Sequence, residues 1–366
     1  MRVLEAFGEP ISYGGQESFV VNLVKNMDLC NLKIDFFTPY YCDNDNYRKI
    51  VKYCGGDIFS LNLKFSPGKN RFFLKKYIDD FFYHNNYDVV HIHSGSTSML
   101  AIISYSAKKS GVRKVIVHSH ASVDTLTFKR KILRLVCNYF MSKTVDLYCA
   151  CSVVAAKAKF VERKNVLIIK NGISLSNFIY DDGKRRCIRS SLNICNDNFV
   201  VGHVGRFSDE KNHEFLLNIF YSIWLSNHSS RLMLIGNGDL EDKTKDQVNA
   251  LGIKDYVDFI GVVNNVYDYM QAMDCFILPS KFEGLGLVAV EAQAMGLPCY
   301  LADTVPKDVE ITDLVHYISL AKTSEQWANE IISYPFKIRR NMCKSISQAG
   351  YDIKKVSQQM RNIYIS

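Results

Sequence analysis

Short apolar runs alternate with longer amphipathic ones along the whole chain, and this alternation restricts the fold more than any other feature. In the first half the candidate strands are Arg2–Ala6, Lys33–Thr38, Asp57–Leu61, Asp88–Ser94, Lys114–His118, Leu147–Ser152 and Val166–Lys170. Helical spacing fills most of the gaps, as in Gln16–Met27, Arg71–His84 and Phe128–Lys143. The second half repeats the habit with Phe199–Val204, Arg231–Ile235, Val257–Ile260, Cys275–Pro279 and Cys299–Ala302. Strands apolar almost throughout, separated by helices, require parallel sheets covered on both faces. The predicted fold class is α/β, with two doubly wound domains whose parallel sheets face a central cleft. Polar, Asp-Gly and basic residues between Ser174 and Ser190 mark the break. The expected domains are 1–180 and 181–350, with a C-terminal helix over 351–366 packing back on the first. Ligands of such sheets bind beyond the C-terminal ends of the strands.

Charge separates the halves. Residues 1–180 carry 25 Lys and Arg against 14 Asp and Glu, whereas 181–366 carry 20 against 23. Two bodies with different partners are implied. Glu5, Glu9 and Pro10 interrupt any apolar core of a secretory signal. The longest apolar stretch, residues 147–156, is about half of a bilayer span. Eleven cysteines, odd in number and without a Cys-x-x-Cys pair, fit a reduced, cytoplasmic setting better than a secreted one.

Four constellations carry chemistry. Gly14-Gly15 lies between a strand and a helix start, where free amides can meet an anion. Taken alone, an ordinary strand-to-helix turn is the better reading of it. No GxxxxGK[ST] occurs, which argues against Walker-type hydrolysis. Gly205-Arg206 and Lys211 follow the strand Phe199–Val204; a guanidinium fork and a point charge there suit a diphosphate. Glu283 and Glu291 bracket a Gly-x-Gly loop, Gly284-Leu285-Gly286-Leu287, that opens a helix. If most of that interval is helical the carboxylates are ~12 Å apart. That exceeds the ~5–9.5 Å of paired glycosidase carboxylates, so they read as grips on two ends of a longer ligand. His118 and His120, like His91 and His93, sit two apart on a strand. Neither pair has a third ligand of metal-site spacing, so His120 reads as a lone side chain entering the site. Asp43-Asn44-Asp45 is the only compact Asp-x-Asp, which weakens metal-dependent transfer.

Together these residues resemble the retaining glycosyltransferases of family 4, which have the GT-B fold of two Rossmann-like domains. The resemblance runs along nearly the whole chain. It is most specific at Gly14-Gly15, Gly205-Arg206 with Lys211, 234–238, 257–261 and Glu283-x7-Glu291. It implies that His120 and Glu283 meet the donor hexose and that Glu291 binds the ribose. Arg206 and Lys211, with Gly15 and residues Gly284, Leu285, Gly286 and Leu287, would hold the diphosphate. Gly236, Asn237, Ile260 and Val262 would frame the base. One departure stands out: Gly296-Leu297-Pro298 leads to Asp303-Thr304-Val305-Pro306-Lys307 in place of a second Glu-bearing, Gly-rich loop.

The expected enzyme is a metal-independent hexosyltransferase that needs no cofactor besides its nucleoside diphosphate sugar, read as a UDP-sugar. Its acceptor would be a glycan or a polyprenyl-diphosphate-linked oligosaccharide for capsule, exopolysaccharide or O-antigen. Lys64, Lys69, Arg71, Lys75 and Lys76 interleave with Phe65, Phe72, Phe73 and Tyr77, and 128–135 is a second basic amphipathic stretch. Both fit peripheral binding to anionic lipid on the inner face of the cell membrane. Nucleic acid is the rival partner, but no nucleic-acid motif accompanies the patches. A sugar-nucleotide epimerase and a non-catalytic sugar-nucleotide-binding subunit are the alternative functions, because fold alone does not fix chemistry.

Overall fold

A computed structural model describes residues 1–366 except 13, 67–70, 121–126, 161–164 and 335–338. The chain divides into two units, Met1–Ser174 with Gly350–Ser366, and Leu175–Ala349. The predicted helix 351–366 is the helix Ile353–Ile365.

Among the described residues the first unit holds a seven-stranded sheet. Its strands are β1 (Arg2–Phe7), β2 (Lys33–Thr38), β3 (Ile58–Ser60), β4 (Val89–Ser94), β5 (Lys114–Ser119), β6 (Leu147–Ala150) and β7 (Leu167–Ile168). The order is β3-β2-β1-β4-β5-β6-β7, with parallel pairing. One face is covered by the helices Leu74–His84 and Thr97–Lys109. The other is covered by the helices Gly15–Lys25 and Ile353–Ile365, whose Ile353, Val356, Met360 and Tyr364 enter the same core as Phe7, Phe19 and Phe36.

The second unit continues with β8 (Phe199–Val204), β9 (Ser230–Ile235), β10 (Val257–Gly261), β11 (Cys275–Leu278), β12 (Cys299–Ala302) and β13 (Val315–Ile318). Their order is β10-β9-β8-β11-β12-β13, again parallel. Relative to chain order both sheets begin 3-2-1-4-5-6, and the direction of winding reverses between β1 and β4 and between β8 and β11. Crevices outside such reversal points take ligands.

Several expectations need correction. The basic cluster at 184–186 is not linker. It lies in the helix Asp182–Ser191, capped by Asp181. Arg185 and Arg189 each pair with Asp274 at 2.6 Å, and Asp274 also accepts from the Val200 amide, which ties the helix to the start of β8. Surface charge in a sequence and charge committed to an ion pair look alike. β13 was not anticipated, since Val-His-Tyr-Ile is short and half polar. Asp43-Asn44-Asp45 serves a helix start: the Asn44 side chain accepts from the Tyr47 amide and caps Asp45–Tyr53.

Candidate active site

The loops after β8, β9, β10 and β11 meet at one edge of the second sheet. The Gly236 amide donates to the Gly261 carbonyl, and Phe207 donates to the Asn237 carbonyl, both at 2.9 Å. Gly236 has φ +136°, and a Cβ there would lie 2.1 Å from the Gly205 carbonyl oxygen. Only glycine lets these two loops approach so closely. Asn237 and Val262 are exposed and Ile260 is half-buried. Ile260 belongs to β10, at a shift of register between Phe259 and Gly261, rather than to the loop after it.

Arg206 leaves the end of β8 with its side chain exposed. Lys211 ends a short 3-10 turn, Asp209–Lys211. Its ammonium donates to Glu283 Oε1 at 2.5 Å, and the Ser280 hydroxyl donates to the same oxygen at 2.7 Å. Glu283 is buried, so these partners offset the loss of water around its charge. The two expected sites, after β8 and after β11, are thus joined across the winding reversal by one ion pair.

Gly286, at φ +80°, caps the helix Leu287–Ala294 without any side-chain acceptor. Its positive φ turns the chain from the Glu283 loop into the helix and leaves the first helical amides without a side-chain cap. Leu285 is buried, Leu287 is half-buried and Gly284 is exposed. Helix starts only at Leu287, so the loop takes up half of the interval from Glu283 to Glu291, and the helical-rise estimate does not hold. Burial pushes the half-buried Glu291 carboxyl up to about 7. The segment that departs from the family pattern packs here too: the Thr304 hydroxyl donates to the Ser280 carbonyl.

In the first unit, Gly15 opens the helix Gly15–Lys25 and a Cβ there would meet nothing within 4 Å. The tight glycine is its neighbour Gly14, whose Cβ would collide with Glu17 Oε2. His120 follows β5 and is half-buried, its ring 4.2 Å from that of His118. It does not stand alone. His93 Nδ1 and His120 Nε2 are 3.0 Å apart, and His93 Nε2 lies 2.7 Å from Glu5 Oε2. Tyr364 donates to Glu5 Oε1 at 2.6 Å and lies 2.7 Å from His91 Nδ1; His91 Nε2 is 3.3 Å from His118 Nδ1. Burial opposes the Glu5 charge, but His91 and His93 hold its carboxyl well below the usual carboxylate range. Burial, reinforced by His91, pushes His93 down to about 4. Burial, then His93 and His91, pushes His120 well below the usual imidazole range.

This cluster corrects the reading of the histidines. A third neighbour does exist, because strand register supplies it: Glu5 pairs with His91 and His93 with His118. Ligand-type atoms of His91, His93 and His118 all lie within 4.8 Å of one another. Both nitrogens of His91 and of His93 are already within hydrogen-bonding reach of Glu5, Tyr364, His118 or His120. Glu5 and Tyr364 escaped sequence reasoning. The signal present was a carboxylate in the middle of the apolar strand Arg2–Phe7.

The model of Glycosyltransferase Family 4 matches residues 13–177, and that of Glycosyl transferases group 1 matches residues 184–352. The chain belongs to the family 4 glycosyltransferases. It is 28% identical over 363 residues to EpsF of Bacillus subtilis, named as a glycosyltransferase, covering 96% of this chain and 93% of that one. It is 27% identical to an Escherichia coli UDP-Gal:alpha-D-GlcNAc-diphosphoundecaprenol alpha-1,3-galactosyltransferase, covering 76% and 75%. Among solved structures, Anabaena Alr3699/HepE in complex with UDP aligns with a TM-score of 0.75 at 18% identity, over 99% of each chain. A glycosyltransferase from Rickettsia africae gives 0.75 at 15%, over 99% of this chain and 97% of that one. At those identities the likeness shows the fold, which is GT-B. The family makes the chain a glycosyltransferase.

Proposed function

We propose that this glycosyltransferase moves a hexose or N-acetylhexosamine from a UDP-sugar to a lipid-linked glycan, with retention at the anomeric carbon, in surface polysaccharide biosynthesis. The observation that carries the reading is the Lys211–Glu283 pair beside the uncapped helix start at Leu287. A cation, a carboxylate and free amides stand together where a diphosphate and its sugar need them. The galactosyltransferase relative, whose name specifies a UDP-sugar and a diphosphoundecaprenol acceptor, supports the substrate classes.

In the step, the bond from the anomeric carbon to the diphosphate oxygen breaks, and the diphosphate leaves with the electron pair. The acceptor hydroxyl attacks from the same face and its proton passes to a departing phosphate oxygen. Arg206, Lys211 and the amides from Gly284 to Leu287 stabilise the growing negative charge, so no metal ion enters the step. Glu283 orients the sugar and Glu291 the ribose.

The basic half supports work at the inner face of the cell membrane. No helix among the described residues is long and apolar enough to cross a bilayer. The helix Phe128–Thr144 exposes Phe128, Ile132, Leu135 and Tyr139 beside Lys129, Arg130 and Lys131, and it contains no acidic residue. Such a face suits the surface of an anionic bilayer.

The test is transfer from UDP-sugars to a lipid-linked acceptor, in the presence of a chelator. Arg206→Ala and Lys211→Ala each lower turnover by roughly 10²–10³ with the fold intact, the cost of one oxyanion-type donor. Normal transfer by both variants refutes the assignment, and activity lost to the chelator refutes metal independence.

A further inference from the structure

One carboxylate feeds two hydrogen-bonded branches in the buried face of the first sheet. Ionised, Glu5 can only accept. Its Oε2 therefore accepts from His93 Nε2, at 2.7 Å, so that nitrogen carries the His93 proton. A neutral imidazole then presents a lone pair at Nδ1, 3.0 Å from His120 Nε2. His120 must donate there, and its own lone pair falls on Nδ1. That atom is buried and has no hydrogen-bond partner among the described residues. The second branch follows the same logic. Tyr364 donates to Glu5 Oε1, accepts from His91 Nδ1, and leaves His91 Nε2 to accept from His118 Nδ1. Every shared proton has one consistent place.

We infer that Glu5, acting through His93, is a positioning residue that fixes His120 with its proton on Nε2 and a lone pair on Nδ1, ready to accept a hydrogen bond from a donor-sugar hydroxyl. This rests on the placement of His120 at the donor sugar. The relay determines what His120 can do there: it accepts from a hydroxyl and does not deliver a proton. A carboxylate two residues away in the chain of bonds thereby sets the polarity of a side chain at the end of β5. Tyr364 anchors the other oxygen of that carboxylate from the last helix of the chain.

The tautomers can be read directly. Full-length protein labelled with 15N-histidine is examined by long-range proton–nitrogen correlation at about pH 7, where neutral imidazole is expected. His120 is assigned by its loss in His120→Gln. The expected spectrum has His93 and His120 neutral, both protonated on Nε2. In Glu5→Gln the amide can donate to His93 Nε2, which moves the His93 proton to Nδ1 and the His120 proton to Nδ1. Transfer then falls about tenfold or more. Adding His120→Gln to Glu5→Gln costs little further, because the two act as one unit. Tyr364→Phe lies off this branch and keeps the His120 tautomer. A His120 proton on Nδ1 in the wild-type protein overturns the inference, and so do additive losses or a tautomer change in Tyr364→Phe. If Glu5→Gln does not fold, the wild-type spectrum decides. A chain that transfers no sugar from any nucleotide sugar defeats the proposed function instead, and leaves the tautomer measurement standing.

Discussion

At the scale of single residues, burial does the chemical work. Glu283 and Glu291 are the same residue type eight positions apart, yet their surroundings differ. Glu283 holds two donors on one oxygen, one of them Lys211. For Glu291 burial dominates and lifts the carboxyl to about 7. A folded-state value above the ordinary 4.5 means that the native state binds the proton more tightly than the unfolded chain does. The stability tied to the protonated form is present below about 4.5 and is lost as pH rises through about 7. Glu291→Gln is therefore expected to raise the melting temperature at pH 8, a stabilisation of at most roughly 3 kcal/mol, and to leave it unchanged at pH 4. Nucleotide affinity moves the other way. If the carboxylate accepts from the ribose, wild-type affinity for UDP falls as pH drops below about 7. Glu291→Gln binds about tenfold more weakly above pH 7, and the two affinities converge as the pH falls below it. Calorimetric titration of both proteins across pH checks this, and wild-type and Gln profiles that fall in parallel contradict the ribose role.

At the scale of elements, the position of a helix decides what its residues are for. The helix Phe128–Thr144 buries Cys137 and Met141 and turns Phe128, Ile132, Leu135 and Tyr139 outward. The other basic stretch is less uniform than its sequence suggests. Its helix begins at Leu74 rather than Arg71, Lys69 lies outside the described residues, and Phe65 packs edge-on to Tyr40 at the core. Phe72, Phe73 and Tyr77 stay exposed. Replacing Ile132 and Leu135 by Ser is expected to abolish sedimentation with vesicles containing anionic lipid while leaving the melting temperature within about 1 °C, since neither side chain is in the core. Equal binding to anionic and neutral vesicles by the unaltered chain removes the membrane role.

At the scale of the molecule, the chain ends where it began. After the second unit it returns to the first, where the Ile173 amide donates to the Tyr351 carbonyl and Ser357 donates to the Leu23 carbonyl. Ile353, Met360 and Tyr364 are fully buried there. Large-to-small substitution of such residues costs ~2–5 kcal/mol each, and a domain has only ~5–15 kcal/mol in total. A chain ending at Ala349 is expected to lose the folding transition of the first unit and retain that of the second in a calorimetric scan. Two surviving transitions contradict that dependence.

The alternation of apolar and amphipathic runs determined the α/β class and the parallel sheets, because a strand buried on both faces must be apolar throughout. Gly-rich strand ends determined where the loops of the second sheet approach one another, because close backbone approach tolerates no side chain. Local chemistry stopped there. Sequence spacing did not bring Lys211 to Glu283, 72 residues apart, or Glu5 to Tyr364, 359 apart. It did not show that Arg185 and Arg189 serve Asp274. Those pairings depend on which strands are neighbours and in what register, a property of the assembled sheet. The charge imbalance marked the basic half, and the tertiary structure decided which of its aromatic residues face outward. The histidines were legible as pairs along a strand, and only neighbouring strands joined them into a relay.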